Sequence, residues 1–312
     1  MTEPAAPQQK AIDSVAVVIV TYDSAPVLDT CLRALKAQSR RADVIVIVDN
    51  DSPDAAYLER VPQDARHRVI RNMHNEGYAG ANNTGYALVR YCRYVLFLNP
   101  DAFPAPGLLE QAVQLMGDPE ARDVGCLTGT LLGFDPEHQQ PTGLIDSTGI
   151  FQSRLGRWRD RGRGERWIPD ATGLVAQDIP AACGALMFCR TEALEDAALA
   201  PGEIFDSRFF MYKEDIELSL RLRRHGWRLR YAPELLCYHC RGWQHRQSAS
   251  YRARYLSARN ELRVCAHNRL RGFTYSVLKY LFVLLVERWL YRSQAHIGGG
   301  ARRRKQAGSR VP

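Results

Sequence analysis

Apolar residues in the first hundred positions fall into short continuous runs, each followed by polar residues. The runs are rich in β-branched side chains, the pattern of strands buried on both faces. The predicted strands are 15–22 (VAVVIVTY), 44–48 (VIVIV), 94–98 (YVLFL) and a shorter one at 69–72. Behind the first run, the spacing of Leu28, Leu32 and Leu35 predicts a helix. Strands alternating with helices at this spacing predict an α/β fold with a parallel, doubly wound sheet.

The second half of the chain is less regular. The periodicity fades over about 134–178, and within it the stretch 153–167 (SRLGRWRDRGRGERW), with six Arg, predicts a long surface loop. The other predicted elements are a buried strand or strand pair at 179–190, an aromatic-rich turn at 203–210, a helix at 214–226, strands at about 227–232 and 235–239, and basic helical sequence from about 250.

Polar residues end three of the predicted strands. Thr21 and Tyr22, Asp49 and Asp101 occupy these ends, and ligands of open α/β sheets bind outside the carboxyl ends of the strands. Residues 75–85 predict a glycine-rich loop that leads into a helix through about Tyr91. Their glycine spacing is not that of a dinucleotide-binding loop, and the sequence has no phosphate loop of the Walker type.

Charge is distributed unevenly along the chain. The 312 residues are 46% hydrophobic and 24% charged, which excludes disordered, collagen-like and coiled-coil proteins. Residues 241–312 carry sixteen Lys and Arg against Glu261 and Glu287, whereas the net charge of the whole chain is only +8. An acidic body with a basic C-terminal part argues against nucleic acid as the partner and favours an anionic surface, either a membrane or a polyphosphate.

Eight cysteines are too few for a disulfide scaffold in a chain of this length. The first fourteen residues are polar and lack the order of a signal peptide, so we expect a cytoplasmic protein with reduced thiols. Cys237, His239 and Cys240 are too close together for the usual paired spacing of zinc ligands.

Seven motifs occur in an order that resembles the family 2 glycosyltransferases of the GT-A fold, particularly their bacterial rhamnosyltransferase-like branch. They are VVIVTYDSA, VIVDNDSPD, NEGYAGANNTG, LNPDA, CGALMFCR, FDSRFFMYKEDIELSLRLRRHGW and the strand that ends in His239. The resemblance implies two abutting Rossmann-like halves with a mostly parallel central sheet. The implied organisation is a disordered tail at 1–14, a GT-A domain at 15–245 (nucleotide-sugar-binding half 15–130, acceptor-binding half 131–245), a helical extension at 246–292 and a basic tail at 293–312.

The resemblance also implies a donor site. Asp49 would accept a hydrogen bond from the pyrimidine ring of a nucleotide sugar, which suits an ionised carboxylate; the alternative is a residue that only forms the turn after the strand. The implied nucleotide-sugar-binding residues are Thr21, Tyr22, Asp49, Gly77, Gly80, Asn82, Asn99 and Asp101.

For catalysis, the resemblance implies that Asp215 is the general base for the acceptor hydroxyl. Gly184, Glu214 and Glu217 are the implied acceptor-binding residues. The alternative is that the acids at 214–217 only stabilise a helix N-terminus through its dipole. An inverting transfer needs one base and no enzyme nucleophile, and the sequence offers no Ser-His or Cys-His arrangement for one.

Asp101 and His239 are the implied ligands of Mg²⁺ or Mn²⁺. Asn99-Pro100-Asp101 departs from the D-x-D motif because its first acid is missing. Magnesium can be held by one or two carboxylates when substrate phosphates supply further ligands. The alternative is again a turn after a strand.

These residues predict an inverting, non-processive glycosyltransferase of cell-surface polysaccharide biosynthesis. It would move a sugar, for which the resemblance favours rhamnose, from a dTDP- or UDP-sugar to a glycan or lipid-linked glycan. The alternatives are a catalytically silent nucleotide-sugar-binding subunit and a sugar nucleotidyltransferase, although the first strand lacks the Gly-rich, basic loop expected of the latter.

Residues 273–291 are apolar but interrupted by Lys279, Glu287 and Arg288, so they are too short to span a bilayer. With the basic tail, they predict an interfacial helix on the cytoplasmic face of the inner membrane. The alternative is a helix that packs within the protein or in a homodimer.

Overall fold

The structure, a computed structural model, describes residues 13–169, 173–241, 250–268 and 272–288. The chain divides into two compact units. The first contains all the strands, and the second contains residues 153–157 and the C-terminal helices. Most of the predicted N-terminal tail and all of the predicted basic tail lie outside the described residues. Ser14, at the end of the N-terminal tail, is buried, and its hydroxyl accepts a hydrogen bond from the backbone of Arg93.

The strands are β1 Val15–Thr21, β2 Val44–Asp49, β3 His67–Arg71, β4 Tyr94–Leu98, β5 Ala102–Pro104, β6 Val124–Asp135, β7 Gln140–Ser147, β8 Ile150–Gln152, β9 Trp158–Asp160, β10 Gln177–Asp178, β11 Leu186–Arg190 and β12 Arg228–His239. The α-helices are α1 Ala25–Lys36, α2 Gly77–Ala87, α3 Leu108–Gly117, α4 Thr191–Asp196, α5 Glu214–Arg224, α6 Tyr251–His267 and α7 Phe273–Phe282, the last continued by a π-helical turn at Val283–Glu287. Short 3₁₀ turns lie at Ala56–Arg60, Pro119–Ala121 and Ser207–Phe209.

One sheet organises the first unit. Its strand order is β10-β12-β6-β11-β4-β1-β2-β3, with β5 beside β12 and β7 beside β6. The strands β4, β1, β2 and β3 are parallel, and so are β6 and β12, while β11 lies antiparallel between β4 and β6. The α/β class predicted from the sequence is confirmed. β6 crosses the predicted boundary between residues 130 and 131, and the division into a donor and an acceptor half stays a prediction.

The core of this unit lies on both faces of the parallel strands. Every residue of β1 and β2 is buried, as their continuous apolar runs predict. Helix α2 packs closely on them, because a Cβ atom added to Gly85 would lie 2.5 Å from a methyl carbon of Val18 and 3.1 Å from one of Val48. Glycine at this position therefore sets how near α2 comes to the sheet.

Three predictions of local structure are wrong. The stretch 153–167 is not one surface loop, because it contains β9, and the rest of 134–178 contains β7, β8 and β10. Only three residues of β7 are buried and bulges interrupt its pairing with β6, so no alternation marks it. The glycine-rich stretch is helical from Gly77 onward. The two strands expected at 227–239 are one strand, β12, with a bulge between Tyr231 and Leu236.

In the second unit, α6 and α7 pack against each other as antiparallel helices. Lys279 of α7 pairs with Glu261 of α6. Glu287 pairs with Arg254 of α6, and the Nε atom of Arg254 is 2.5 Å from Oε2 of Glu287. The rings of Tyr255 and Tyr280 are 5.8 Å apart between centroids. Lys279 and Glu287, the two charged residues within 273–287, therefore face α6.

Candidate active site

The carboxyl ends of β1, β2 and β4 lie side by side at one edge of the sheet, as the sequence predicted. β1 pairs in parallel with β2 and β4, and Thr21 is directly opposite Asp49. Because β11 is antiparallel to β4, its first residue lies at the same edge. β12 also ends at this edge, where His239 pairs with Ala102 of β5. Several predicted site residues therefore lie along one edge.

Asp49 is fully buried and held by several donors. Its Oδ1 atom accepts hydrogen bonds from the hydroxyls of Ser52 at 2.5 Å and Tyr57 at 2.9 Å, and Thr21 lies at 3.4 Å. Its Oδ2 atom accepts from the backbone N–H of Ser52 at 3.2 Å, and the Nε atom of Arg71 is 3.9 Å away. The carboxylate is therefore fixed in one orientation. Tyr57 lies outside the motifs, and no sequence signal identified it.

Tyr22 and Asn99 flank this region. Tyr22 is 43% exposed directly after β1. The backbone N–H of Asn99 donates to the carbonyl of Ala185, which joins the end of β4 to the start of β11. Asn99 thereby fixes the turn that leads to Asp101.

The predicted residues of α2 have local roles in the structure. Gly77 has a φ of +74°, and a Cβ atom there would lie 2.3 Å from the carbonyl oxygen of Phe210. A Cβ atom on Gly80 would lie 2.8 Å from the Cβ atom of Glu76, the residue directly before α2. Asn82 is buried and donates to the backbone carbonyl of Tyr78 at 2.8 Å. Their roles in donor binding stay predictions.

Asn83 joins α2 to the aromatic segment that precedes α5. Its Oδ1 atom accepts from the backbone N–H groups of Ile204 and Phe205, and its Nδ2 atom donates to the carbonyl of Phe205. Both ends of the side-chain amide are thus engaged with protein backbone. The structure gives Asn83 a structural role.

Asp215, the predicted base, is anchored at the sheet edge by Gly184, which lies two residues before β11. Its Oδ2 atom accepts from the backbone N–H of Gly184 at 3.0 Å, and the carbonyl of Gly184 accepts from the Tyr78 hydroxyl at 2.8 Å. A Cβ atom on Gly184 would lie 3.3 Å from that of Asp215. Burial raises the pKa of Asp215, while Lys213 and two backbone N–H groups oppose the rise.

Glu214 lies beside Asp215 and is buried, whereas Asp215 is only partly buried. Its Oε2 atom has no hydrogen-bond partner among the described residues. Burial and the neighbouring charge of Asp215 raise its pKa to about 8. Lys213, directly before it, has a φ of +73°. Strained backbone of this kind is often found at functional sites.

Glu217 has a different environment from the other two acids. Both of its carboxylate oxygens accept from Arg221, one turn later in α5, at 2.8–3.2 Å. Arg221 also donates to the carbonyls of Ala197 and Ile204. Through these bonds the buried pair of Glu217 and Arg221 connects α5 to the segments that contain Ala197 and Ile204, so the structure gives Glu217 a structural role. Contact between Glu217 and an acceptor stays a prediction.

Asp101 and His239, the predicted metal ligands, are adjacent and buried. The Nε2 atom of His239 is 3.4 Å from Oδ1 of Asp101, and its Nδ1 atom is 2.8 Å from Oδ2 of Asp146. Burial lowers the pKa of His239, but the two carboxylates outweigh it and raise the pKa to about 9. Burial raises the pKa of Asp146, and His239 and Arg241 outweigh that effect and lower it.

These residues fit a divalent cation. Asp101 offers a carboxylate and His239 a ring nitrogen on the same side, both donor types that hold divalent ions. With a neutral imidazole, as metal binding requires, Asp101, Asp146 and Asp160 outnumber Arg241 by two negative charges. One divalent cation would balance that excess. Such an ion, when bound, would neutralise charge on a diphosphate.

Sequence analysis missed Asp146, Asp160 and Arg241. Arg241 donates to Asp146 at 2.7 Å and to Asp160 at 2.6 Å. The two acids come from β7 and β9, within 134–178, where the sequence shows no clear periodicity. The sequence does contain isolated acids in this Arg-containing stretch. Their presence does not show which acid points into the protein.

Among the described residues, one other group could hold a metal ion: Asp135, Glu137 and His138. These residues lie where β6 connects to β7, and both Glu137 and His138 are exposed. The Nδ1 atom of His138 is 2.8 Å from a carboxylate oxygen of Asp135. Exposed acidic groups of this kind are common without an ion.

Comparison with known proteins agrees with this geometry. The sequence profile of the family described as "Glycosyl transferase family 2" matches residues 16–196. An N-acetylglucosaminyl-diphospho-decaprenol L-rhamnosyltransferase of Mycobacterium tuberculosis is 27% identical over 240 residues, which cover 71% of this chain and 74% of the relative.

Two solved structures share the fold. GalNAc-T7, solved with UDP, GalNAc and Mn²⁺, matches with a TM-score of 0.61 at 17% identity, over 83% of this chain and 48% of that one. The mannosyltransferase PcManGT of Pyrobaculum calidifontis, solved with GDP-Man and Mn²⁺, matches with a TM-score of 0.53 at 19% identity, over 98% of this chain and 78% of that one. The fold is therefore the GT-A fold.

Proposed function

The chain belongs to glycosyl transferase family 2 and is a glycosyltransferase, and from this premise we propose that it is an inverting, non-processive enzyme of cell-surface polysaccharide biosynthesis. It transfers one sugar from a dTDP- or UDP-sugar to a hydroxyl of a glycan or lipid-linked glycan. The observation that carries the proposal is the anchoring of partly buried Asp215 at the sheet edge where β2 ends in Asp49 and where Asp101 follows β4.

The donor base is assigned to Asp49. The carboxylate accepts hydrogen bonds only, and its Oδ2 atom has lone-pair capacity beyond the bond from Ser52. An imide N–H of uracil or thymine matches such an acceptor. Tyr22, exposed beside it, is the stacking surface. Similarity to the mycobacterial L-rhamnosyltransferase favours L-rhamnose as the sugar.

Mg²⁺ or Mn²⁺ is assigned to Asp101 and His239. Both solved neighbours were crystallised with Mn²⁺, and the adjacent carboxylate and imidazole suit either ion. The ion supplies charge neutralisation for the diphosphate of the donor. Chelation should therefore abolish transfer, and added Mg²⁺ or Mn²⁺ should restore it.

Asp215 takes the proton of the acceptor hydroxyl. The hydroxyl oxygen forms a bond to the anomeric carbon as the bond from that carbon to the diphosphate breaks, and the nucleoside diphosphate leaves. Hydrogen bonds from Gly184 and Ile216 fix the orientation of the carboxylate. A carboxylate whose pKa is raised by burial is a stronger base than one in water.

The C-terminal helices are assigned to an anionic membrane surface. Leu278, Leu281 and Leu285 are 63%, 42% and 64% exposed. Their spacing places them on one face, and the charged Lys279 and Glu287 pair with α6 instead. No helix within the four described ranges is both long and apolar enough to cross a membrane. Association with the cytoplasmic face of the inner membrane would bring the enzyme to a lipid-linked acceptor.

A second candidate is a silent nucleotide-sugar-binding subunit, which the missing first acid of Asn99-Pro100-Asp101 favours. One experiment separates the two. Thermal stabilisation is measured with UDP-, dTDP- and GDP-sugars in the presence of Mn²⁺, and release of nucleoside diphosphate is then measured with the best donor and a lipid-linked acceptor. The proposal expects stabilisation and acceptor-dependent release; stabilisation without release across a panel of acceptors would favour the silent subunit.

A further inference from the structure

His239 is held from both sides of its imidazole ring. Its Nδ1 atom is 2.8 Å from Asp146, and its Nε2 atom is 3.4 Å from Asp101. All three side chains are nine-tenths or more buried. The ring is fixed in its plane, with one nitrogen directed to each carboxylate.

Asp146 is fixed in turn by Arg241. The Nε atom of Arg241 is 2.7 Å from Oδ1 of Asp146, and its guanidinium also reaches Asp160 at 2.6 Å. Arg241 follows His239 by two residues, while the acids come from β7 and β9. The orientation of the imidazole is therefore set by contacts that join three separate strands.

We propose that Asp146 is a positioning residue for the metal site: it accepts the Nδ1–H of His239 and so leaves the Nε2 lone pair directed towards Asp101. This inference rests on the proposed function, because it takes Asp101 and His239 to be the metal ligands. A neutral imidazole has one donor nitrogen and one acceptor nitrogen. The partner of the first nitrogen decides which one is available to a metal.

A purely stabilising role explains the arrangement less well. A buried charged cluster seldom adds stability, since desolvation opposes the attraction between its charges. This cluster also carries more acids than bases once the imidazole is neutral, which suits a bound cation and not a self-contained ion pair. Arg241 and Asp160 then have the role of preventing Asp146 from rotating away.

The test is the affinity for Mn²⁺ of Asp146→Asn, measured by the loss of the electron paramagnetic resonance signal of free Mn²⁺, with and without UDP. Asparagine keeps the size of the side chain but loses its charge and presents an N–H₂ group to the ring or to Arg241. The matched control is Asp123→Asn. Asp123 pairs with Arg228 at 2.6 Å, at the opposite end of β12.

Loss of an outer partner of a metal-binding histidine typically weakens metal affinity by about 10–100-fold. We expect that loss for Asp146→Asn and wild-type affinity for Asp123→Asn. Wild-type affinity in Asp146→Asn, or equal weakening in both variants, would overturn the inference. A wild-type protein that binds no Mn²⁺ with or without UDP would instead contradict the proposed metal site itself.

A second measurement on the wild-type protein decides the matter if Asp146→Asn does not fold. Long-range ¹H–¹⁵N correlation spectra of histidine-labelled protein, with His239→Gln for assignment, report which ring nitrogen carries the proton. With saturating Mg²⁺ we expect the proton on Nδ1 and a shift of the Nε2 resonance. A proton on Nε2 under these conditions would overturn the inference.

Discussion

Glu214 and Asp215 are neighbouring carboxyl groups, the first buried and the second partly buried, whose surroundings give them different properties. Asp215 accepts hydrogen bonds from two backbone N–H groups, which favour its charged form. Glu214 has an oxygen without a partner among the described residues, and its pKa is raised to about 8. At neutral pH, Glu214 is therefore largely protonated. It can donate a hydrogen bond, as a group that orients an acceptor oxygen would.

The raised pKa of Glu214 predicts that stability falls with increasing pH. The folded state keeps this proton up to about pH 8, whereas the unfolded chain loses it near the ordinary value of 4.5. Between these values the contribution of Glu214 to the free energy of unfolding decreases by up to about 1.4 kcal/mol per pH unit. Glu214→Gln removes this contribution, so its urea-unfolding free energy should depend less on pH than that of the wild type between pH 5 and 8.

The control is Glu192→Gln, which changes an exposed glutamate in α4. Its pH dependence should follow the wild type. Parallel curves for Glu214→Gln and the wild type would mean that Glu214 ionises normally in the folded state.

At the scale of elements, α2 positions the segment that leads into α5 and Asp215. Asn83 binds the backbone of Ile204 and Phe205, and the backbone N–H of Ala79 donates to the carbonyl of Phe210. Phe210 has a φ of +63° and a ψ of −66°, and the N–H of Met211 reaches the carbonyl of Phe209, which is a strained γ-turn. Contacts with α2 hold this turn in place.

Asn83→Ala should therefore destabilise the protein by about 2–5 kcal/mol, because it leaves partly buried backbone N–H groups without acceptors. Asn83→Asp should lose less, since its carboxylate still accepts from Ile204 and Phe205 and only the bond to the carbonyl of Phe205 is lost. Urea unfolding of both variants checks this order. An equal loss in the two variants would contradict this account, because the acceptor oxygen that aspartate keeps would then contribute nothing to stability.

The elements that the sequence predicted correctly are those with a simple periodicity. β1, β2 and β4 are buried on both faces and have continuous apolar runs, and α5 has apolar residues on one face and Gly226 after its end. The predicted strand at 179–190 begins only at Leu186, because the buried residues before it form a loop that brings Gly184 to the sheet edge. Burial alone does not distinguish such a loop from a strand.

The candidate site was predictable only in part for the same reason. Asp49, Asp101 and Asp215 follow or begin regular elements, so their positions could be inferred. Asp146 and Asp160 lie in short strands with mixed burial, and only tertiary contacts with His239 and Arg241 turn them inward. Contacts between residues 93 positions apart leave no local pattern in the sequence.

At the scale of the whole molecule, the exposed face of α7 and its π-helical turn is the most apolar feature of the described surface in the second unit. Phe273, Leu278, Leu281, Phe282 and Leu285 are all exposed. The segment beyond it carries the basic residues 302–305. An apolar face next to basic residues is typical of helices that bind anionic membranes.

In a flotation assay, the triple variant Leu278→Ser, Leu281→Ser, Leu285→Ser should bind anionic liposomes at least about tenfold more weakly than the wild type. Each exposed leucine contributes more than about 1 kcal/mol to binding when it is buried in lipid. The matched control Met73→Ser, Ile168→Ser, Val175→Ser changes exposed apolar residues of the first unit and should float normally. Moderate salt should release the wild type only in part. A wild type that does not float but elutes as a dimer would assign this face to a second copy.

The account depends most directly on the role of Asp215, which the turnover of Asp215→Asn measures. The amide cannot accept the acceptor's proton, and general-base catalysis typically contributes 10²–10⁴-fold. Release of nucleoside diphosphate with saturating donor, acceptor and Mn²⁺ should therefore fall by at least about a hundredfold, while thermal stabilisation by the donor stays near that of the wild type. Asp123→Asn should keep full activity. Wild-type turnover in Asp215→Asn would contradict the account, because the reaction would then need a different base.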